Sequence, residues 1–181
     1  MRAVFILVFL LPNFCFGSDL YSEVAFAINS IRSEHGLSVL KNNRMLAGAA
    51  QSQSDWMSAV GRMDHMREPA KSFAEFKVCN HHPVNRVINS GYYKFDDLFE
   101  TLKDSRGVSV RPRAETELVD EIVAWGKAGK DAYRTDIIVA GWMRSPGHRK
   151  AILNPVFREM GVGITSPVHG EVYWCVVFGK R

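Results

Sequence analysis

Two histidines have a setting in which an imidazole could do chemistry. His65 falls in the run Arg62-Met63-Asp64-His65-Met66, and His148 in Ser145-Pro146-Gly147-His148-Arg149. A neutral imidazole can ligate a borderline metal, move a proton near neutral pH, or simply satisfy a neighbouring polar group. Taken singly, each of the two is more often structural than a ligand. Ser145 precedes His148 across Pro146-Gly147, a spacing that suits a helix-ending turn better than a nucleophile with its base. His81 and His82 beside Pro83, and His169 in a turn-like stretch, read as solvated, while His35 ahead of Gly36 can meet a helix C-terminus. The other common signatures are missing: no phosphate loop, dinucleotide glycine pattern, His-Glu-x-x-His helix, Cys-x-x-Cys pair or Gly-x-Ser-x-Gly elbow occurs.

Both histidines follow helical patterns. Leu20, Val24, Ala27, Ile28 and Ile31 recur at helical spacing behind a cap candidate in Ser18, with a stop at Gly36. A second helix runs from near Asn43 to Gly61, placing Leu46, Ala47, Ala50, Met57 and Val60 on or near one stripe, and His65 comes just after it. Val84, Val87 and Ile88 suggest a short third helix opening after Pro83 and stopping at Gly91. Thr135-Asp136 can cap a fourth, through Ile137, Ile138, Ala140 and Trp142, which breaks at Ser145-Pro146-Gly147 and leads into His148. The period then changes. Met160 to Ile164 is strand-like, Ser166 to Gly170 is turn-like, and Val172 to Phe178 is a continuous β-favouring run, as expected of a central strand covered on both faces. Tyr92 to Leu102 reads as a short helix and Ser105 to Arg113 as an exposed loop. Trp56, Trp142 and Trp174 read as packing residues. Helices followed by a terminal hairpin make the fold class α+β.

The 181 residues suit one domain, and 46% hydrophobic against 23% charged residues is ordinary globular usage that argues against disorder. The net charge of +4 comes from 23 basic residues scattered among 19 acids, without the basic block that a nucleic-acid face needs. The first 17 residues differ from the rest. Arg2, the apolar run Ala3 to Leu11 and the close Cys15-Phe16-Gly17 form a secretory signal pattern, with cleavage expected after Gly17; Pro12 and Asn13 cut the run short of a membrane span. The domain is then 18–181, with no later segment able to span a membrane and a charge of +3 once Arg2 is lost. Of three cysteines, Cys79 and Cys175 remain, and either a disulfide or two buried thiols suits an exported chain.

The stretch Trp142 to Pro155, followed by Met160-Gly-Val-Gly-Ile164, resembles the bacterial branch of the CAP superfamily: cysteine-rich secretory proteins, antigen 5 and pathogenesis-related 1 proteins, also called the SCP domain. The likeness extends to Arg32 through Leu37, Leu46 to His65, and the closing strand from Tyr173 to Gly179. It implies a three-layer α-β-α sandwich with a cleft where His65 and His148 take the family's histidine positions. The family's Glu-Asn-Ile/Leu-Ala segment finds its counterpart in Asp120 to Gly126, which makes Glu121 the cleft acid; Glu115 and Glu117 are the alternatives, since Ile122 replaces the family's Asn. Ser145 stands where eukaryotic members carry a second Glu, and Arg149 is its neighbour along the cleft.

Two imidazoles and one carboxylate can hold Zn²⁺ or another divalent cation, with water completing the shell. The same groups could equally satisfy one another without a metal. The resemblance implies a secreted, extracellular or periplasmic, non-enzymatic binding module for a lipid or a cell-surface partner. The rival readings are a metal-assisted, peptidase-like hydrolase with Glu121 as base, and a purely structural envelope component.

Overall fold

The computed structural model describes residues 20–68, 71–72, 75, 80–104, 107–112, 118–127, 131, 133–165 and 170–181, with backbone alone considered for 102–104 and 107–112. The signal segment, Ser18, Cys79, Glu115, Glu117 and His169 lie outside the described residues. Helix α1 (Leu20–Glu34) buries Val24, Ala25, Ile28 and the whole of Arg32. Its end comes where the sequence places it, with Gly36 at φ 69°. As expected, His35 donates from Nδ1 to the Ile31 carbonyl at 2.8 Å, capping the last turn.

Helix α2 (Arg44–Val60) has its two ends set by local chemistry. Asn43 Oδ1 accepts from the Met45 and Leu46 amides at 2.9 and 3.3 Å, and Gly61 closes the helix at φ 64°. Helix α3 (Pro83–Asn89) opens on a proline at its first turn, where a missing N–H costs nothing. A single-turn α4 (Phe95–Leu98), α5 (Thr135–Arg144) and α6 (Pro146–Ile152) complete the set.

The main sheet has the order β1-β5-β6-β4, from β1 (Lys41–Asn42), β5 (Glu159–Thr165), β6 (Glu171–Gly179) and β4 (Val119–Lys127); β1 runs parallel to β5 and the other neighbours are antiparallel. The sequence makes β6 central, and so it is. Its side chains alternate between two cores. Val172, Trp174, Val176 and Phe178 join residues of α1, α5 and α6, whereas Tyr173, Cys175 and Val177 join residues of α2, α3 and α4. Helices therefore cover the sheet on both faces. The approach of α2 to β5 depends on glycine. A Cβ at Gly161 would overlap the backbone of Leu46 and Ala47, and one at Gly163 that of Ala50 and Gln51.

Two expectations are corrected. Residues 99–112 form a separate antiparallel hairpin, β2 (Phe99–Asp104) with β3 (Gly107–Pro112), in place of the end of a helix and an exposed loop. Val108, Val110 and Thr101 are β-branched and sit in paired register, which outweighs the Ser, Arg and Pro content that suggested a loop. The cap of α5 is Arg134, and Thr135 is already helical; its hydroxyl donates to Glu23 Oε2 at 3.1 Å and ties α5 to α1. Of the two readings of the cysteines, the buried thiol holds for Cys175, which is free on β6 among the described residues, while Cys79 lies outside them. Trp142 lies in the core as expected, with its indole donating to the Val123 carbonyl at 3.0 Å, which occupies a polar group of the edge strand β4. Among the described residues no helix is long and apolar enough to cross a membrane.

Candidate functional site

The site is built at the start of β4, where segments from both faces of the sheet meet its outer edge. Downstream of α2, the chain is pinned back onto that helix: Gln53 Nε2 donates to the Asp64 carbonyl at 2.6 Å, while Arg67 donates to Gln53 Oε1 at 2.9 Å and Ser52 Oγ at 2.9 Å. Asp64 Oδ1 accepts from the Met66 amide at 3.0 Å, fixing the turn that presents His65. A reciprocal clasp joins residues 67 and 81, with the Arg67 amide donating to the His81 carbonyl at 3.0 Å and His81 Nδ1 donating to the Arg67 carbonyl. His82 then caps α3, its Nδ1 accepting from the Val84 amide at 3.3 Å.

From α3, Arg86 reaches the centre of the site almost fully buried, at 1% side-chain exposure. Its Nη2 donates to both oxygens of Glu121, at 2.8 and 2.6 Å, and to the His65 carbonyl at 3.0 Å. Nη1 donates to the carbonyls of Asn80 and His81 at 2.9 and 3.2 Å. One guanidinium thus joins a strand, a helix and two loops. Glu121 is equally buried, and its Oε1 also accepts from His65 Nδ1 at 3.1 Å, while the His65 side chain remains 41% exposed.

His148, near the N-terminus of α6, comes to the same edge from the other face. The His65 and His148 ring centroids lie 6.5 Å apart with the rings tilted by 54°. The fold therefore brings together the two imidazoles that are far apart in sequence. Burial pushes the His148 pKa below its usual value, and the neighbouring His65 pushes in the same direction, against Asp120. Desolvation raises Asp120, opposed by the hydrogen bond its Oδ1 accepts from the Glu121 amide at 2.8 Å. Burial holds the Cys175 thiol well above its ordinary range, and the Glu121 charge adds to this.

A cavity of about 710 Å³ opens beside these groups. It is lined by the apolar residues Met66, Pro83, Val84, Leu98, Phe99, Leu118 and Val119 and by the polar residues His65, His81, His82, Asp120 and Glu121. His148, Ser145 and Arg149 do not line this cavity. Ser145 is the junction between α5 and α6, and Arg149 is exposed, donating to His35 Nε2 at 3.2 Å. His81 and His82, read from the sequence as solvated, line the cavity, with His82 exposed and His81 half-buried. Arg86 was missed altogether. The signal for it was a charge inside the apolar turn Val84-Asn85-Arg86-Val87-Ile88, on a helix too short to bury one without a partner.

A divalent cation would need free lone pairs on Glu121 and two imidazoles aimed at one point. Both oxygens of Glu121 are occupied by Arg86, and one of them also by His65. Two imidazoles bound to one zinc at about 2.0–2.1 Å place their centroids roughly 5 Å apart in a tetrahedral shell, closer than the 6.5 Å here. Among the described residues no group of three His, Cys, Asp or Glu side chains is placed to hold a metal. The donor set His65, His148 and Glu121 does not fit a cation as arranged, because the Arg86 guanidinium already fills the cationic role beside the carboxylate.

Helices on both faces of a mostly antiparallel sheet, with two histidines meeting at its edge strand, define an α+β class with a histidine cleft. The chain belongs to the cysteine-rich secretory protein (CAP) family, whose model matches residues 26–178. Among solved structures, an outer surface protein of Borrelia burgdorferi is similar at a TM-score of 0.62 and 18% identity, over 91% of this chain and 94% of that one. An extracellular SCP-domain protein of Bacillus anthracis str. Ames is similar at 0.59 and 20%, over 90% and 40% of the respective chains. A cysteine-rich secretory protein of Staphylococcus aureus follows at 0.51 and 16%, over 90% and 39%. The chain thus spans about two-fifths of the last two proteins, and at these identities the likeness is one of fold. No curated protein sequence matches it.

Proposed function

We propose that this chain is an exported, non-enzymatic binding module of its family that takes a small amphipathic molecule into the cleft between α3 and β4. The observation that carries this reading is the cavity itself, of about 710 Å³, lined by apolar side chains together with three imidazoles and two carboxylates. Such a mixed lining suits a ligand with an apolar body and one polar head. Export is supported by the apolar leader Ala3 to Leu11 with its close at Gly17, and by the similar structures, one of an outer surface protein and another of an extracellular protein. The hydrolase reading is less well supported, since Glu121, its general base, already accepts from Arg86 at both oxygens. A cell-surface protein partner would meet this cleft at its apolar rim, where Met66 is exposed.

The test is saturable binding of Nile red, an uncharged apolar fluorophore, by purified protein of residues 18–181. The expected result is a blue-shifted, brighter emission that saturates near one equivalent. Replacing Leu118 by Glu, at a partly buried wall position, is expected to abolish the signal while the thermal transition persists. Absence of saturable fluorescence in the unaltered protein overturns the proposal.

A further inference from the structure

Between Asp136 and Glu159 the chain carries no acidic residue, yet it carries Arg144, Arg149, Lys150 and Arg158, all of them exposed. The fold sets two of these against the end of α1. Arg149 Nη2 donates to His35 Nε2 at 3.2 Å, a nitrogen free to accept because His35 Nδ1 gives its hydrogen to the Ile31 carbonyl. Three residues earlier, Arg32 is fully buried and bonded to carbonyls alone: Nε donates to Ser38 at 2.9 Å, and Nη1 to Ile152 and Asn154 at 2.7 and 3.0 Å. Its Nη2 has no partner among the described residues. A guanidinium keeps its proton inside a protein, so this is a buried positive charge without a carboxylate. Desolvation lowers its pKa, and the charge of Arg158 acts in the same direction.

A further cation joins them. The Lys41 amide donates to the Arg158 carbonyl at 2.9 Å, which brings the exposed Lys41 of β1 beside Arg158. Lys150, by contrast, acts on Asp120. The acids at this end of the sheet do not neutralise the cluster. Glu159 accepts from Asn43 at 3.0 Å and from Tyr92 at 2.6 Å, and among the described residues neither it nor Glu34 forms an ion pair with Lys41, Arg149 or Arg158. The end of α1 itself supplies only a partial negative charge.

We infer that this end of the molecule is a docking surface for an acidic polysaccharide, a chain bearing sulfate or phosphate groups, which Lys41, Arg149 and Arg158 hold by charge. The three cations stand on β1, on α6 and on the turn before β5, so an extended chain meets them in turn. None of the exposed aromatic residues, Tyr21, Phe26, Trp125 and Tyr133, stands on these segments to enter a bilayer or to stack on nucleic-acid bases, and Val39 is the exposed apolar residue beside them. The surface is distinct from the cleft, since none of the three cations lines that cavity. It draws on the reading above only for export, which brings the chain to such polymers.

The experiment is calorimetric titration of purified protein of residues 18–181 with heparin, a sulfated polysaccharide, at low salt, with the thermal transition recorded for every variant. Saturable binding that weakens steeply as salt is added is expected. Lys41→Gln/Arg149→Gln is expected to weaken it about tenfold; Arg158 stays in place because its Nη1 also holds the carbonyls of Pro155, Val156 and Phe157. Lys127→Gln/Arg134→Gln removes two exposed charges from the far end of β4 and the start of α5, and is expected to leave the affinity unchanged. No heparin binding by the unaltered protein overturns the inference, and so does an equal loss in the two double variants, which would make net charge alone responsible. Tighter binding of a single-stranded oligonucleotide, or of vesicles of anionic lipid, than of heparin also overturns it. All of these outcomes leave the cleft reading standing, because Nile red tests that separately.

Discussion

Arg86 and Glu121 form a buried ion pair, so removing one partner and removing both have opposite consequences. A lone buried charge is costly, while two apolar replacements of similar volume are often tolerated. Arg86→Met is therefore expected to lower unfolding free energy by about 3–5 kcal/mol, and the double variant Arg86→Met/Glu121→Leu to recover most of it, as measured by urea denaturation. Equal losses in the single and double variants would show that Arg86 acts mainly through the carbonyls of His65, Asn80 and His81. At His148 the sign follows from its lowered folded pKa. The unfolded chain protonates around the ordinary value of 6.5 and the folded one only at lower pH, so the unfolded state binds more protons in between. Stability from keeping His148 neutral is full above 6.5 and is lost as pH falls from there toward the folded pKa. His148→Gln is expected to flatten the drop in melting temperature between pH 7.5 and 5.5, with His65 and Asp120 as the charged neighbours that modulate it.

The α2 helix and strand β5 are held at contact by two positions without side chains. Gly161→Ala would drive a methyl group into the backbone of Leu46 and Ala47, which cannot yield as a flexible side chain could. The expected loss is about 3 kcal/mol or more, read by chemical denaturation. Asn43→Ala, which removes only the cap of the same helix, is expected to cost about 1 kcal/mol. If the glycine variant were no worse than the cap variant, α2 could shift away from the sheet, and the segment carrying His65 would move with it. The hairpin β2 and β3 bears on the site more locally, because Leu98 and Phe99 lead into it and supply part of the apolar lining.

At the scale of the whole molecule, the readable features were those fixed by a few neighbours in sequence. Asn43 and Gly61 mark the two ends of α2 by capping and by left-handed backbone, and Val172 to Phe178 declares a strand covered on both sides because both alternating sets are apolar. The juxtaposition of His65 and His148 was legible only through the family motif, since nothing local relates residues so far apart. Arg86 was illegible for a physical reason. A charge in an apolar turn is unfavourable until a distant strand supplies Glu121, and no window of sequence contains both. The hairpin was hidden by Ser, Arg and Pro residues that favour loops in isolation and yield to strand pairing in the fold. Because the guanidinium of Arg86 fastens two loop segments by their carbonyls and strand β4 through the Glu121 carboxylate, the polar residues of the cleft are also part of the scaffold. Substitution there would be penalised in folding, and so would substitution of Leu98 and Phe99, which belong to the buried core, leaving the half-buried Val84 and Leu118 as lining positions whose size can vary at least cost to the fold.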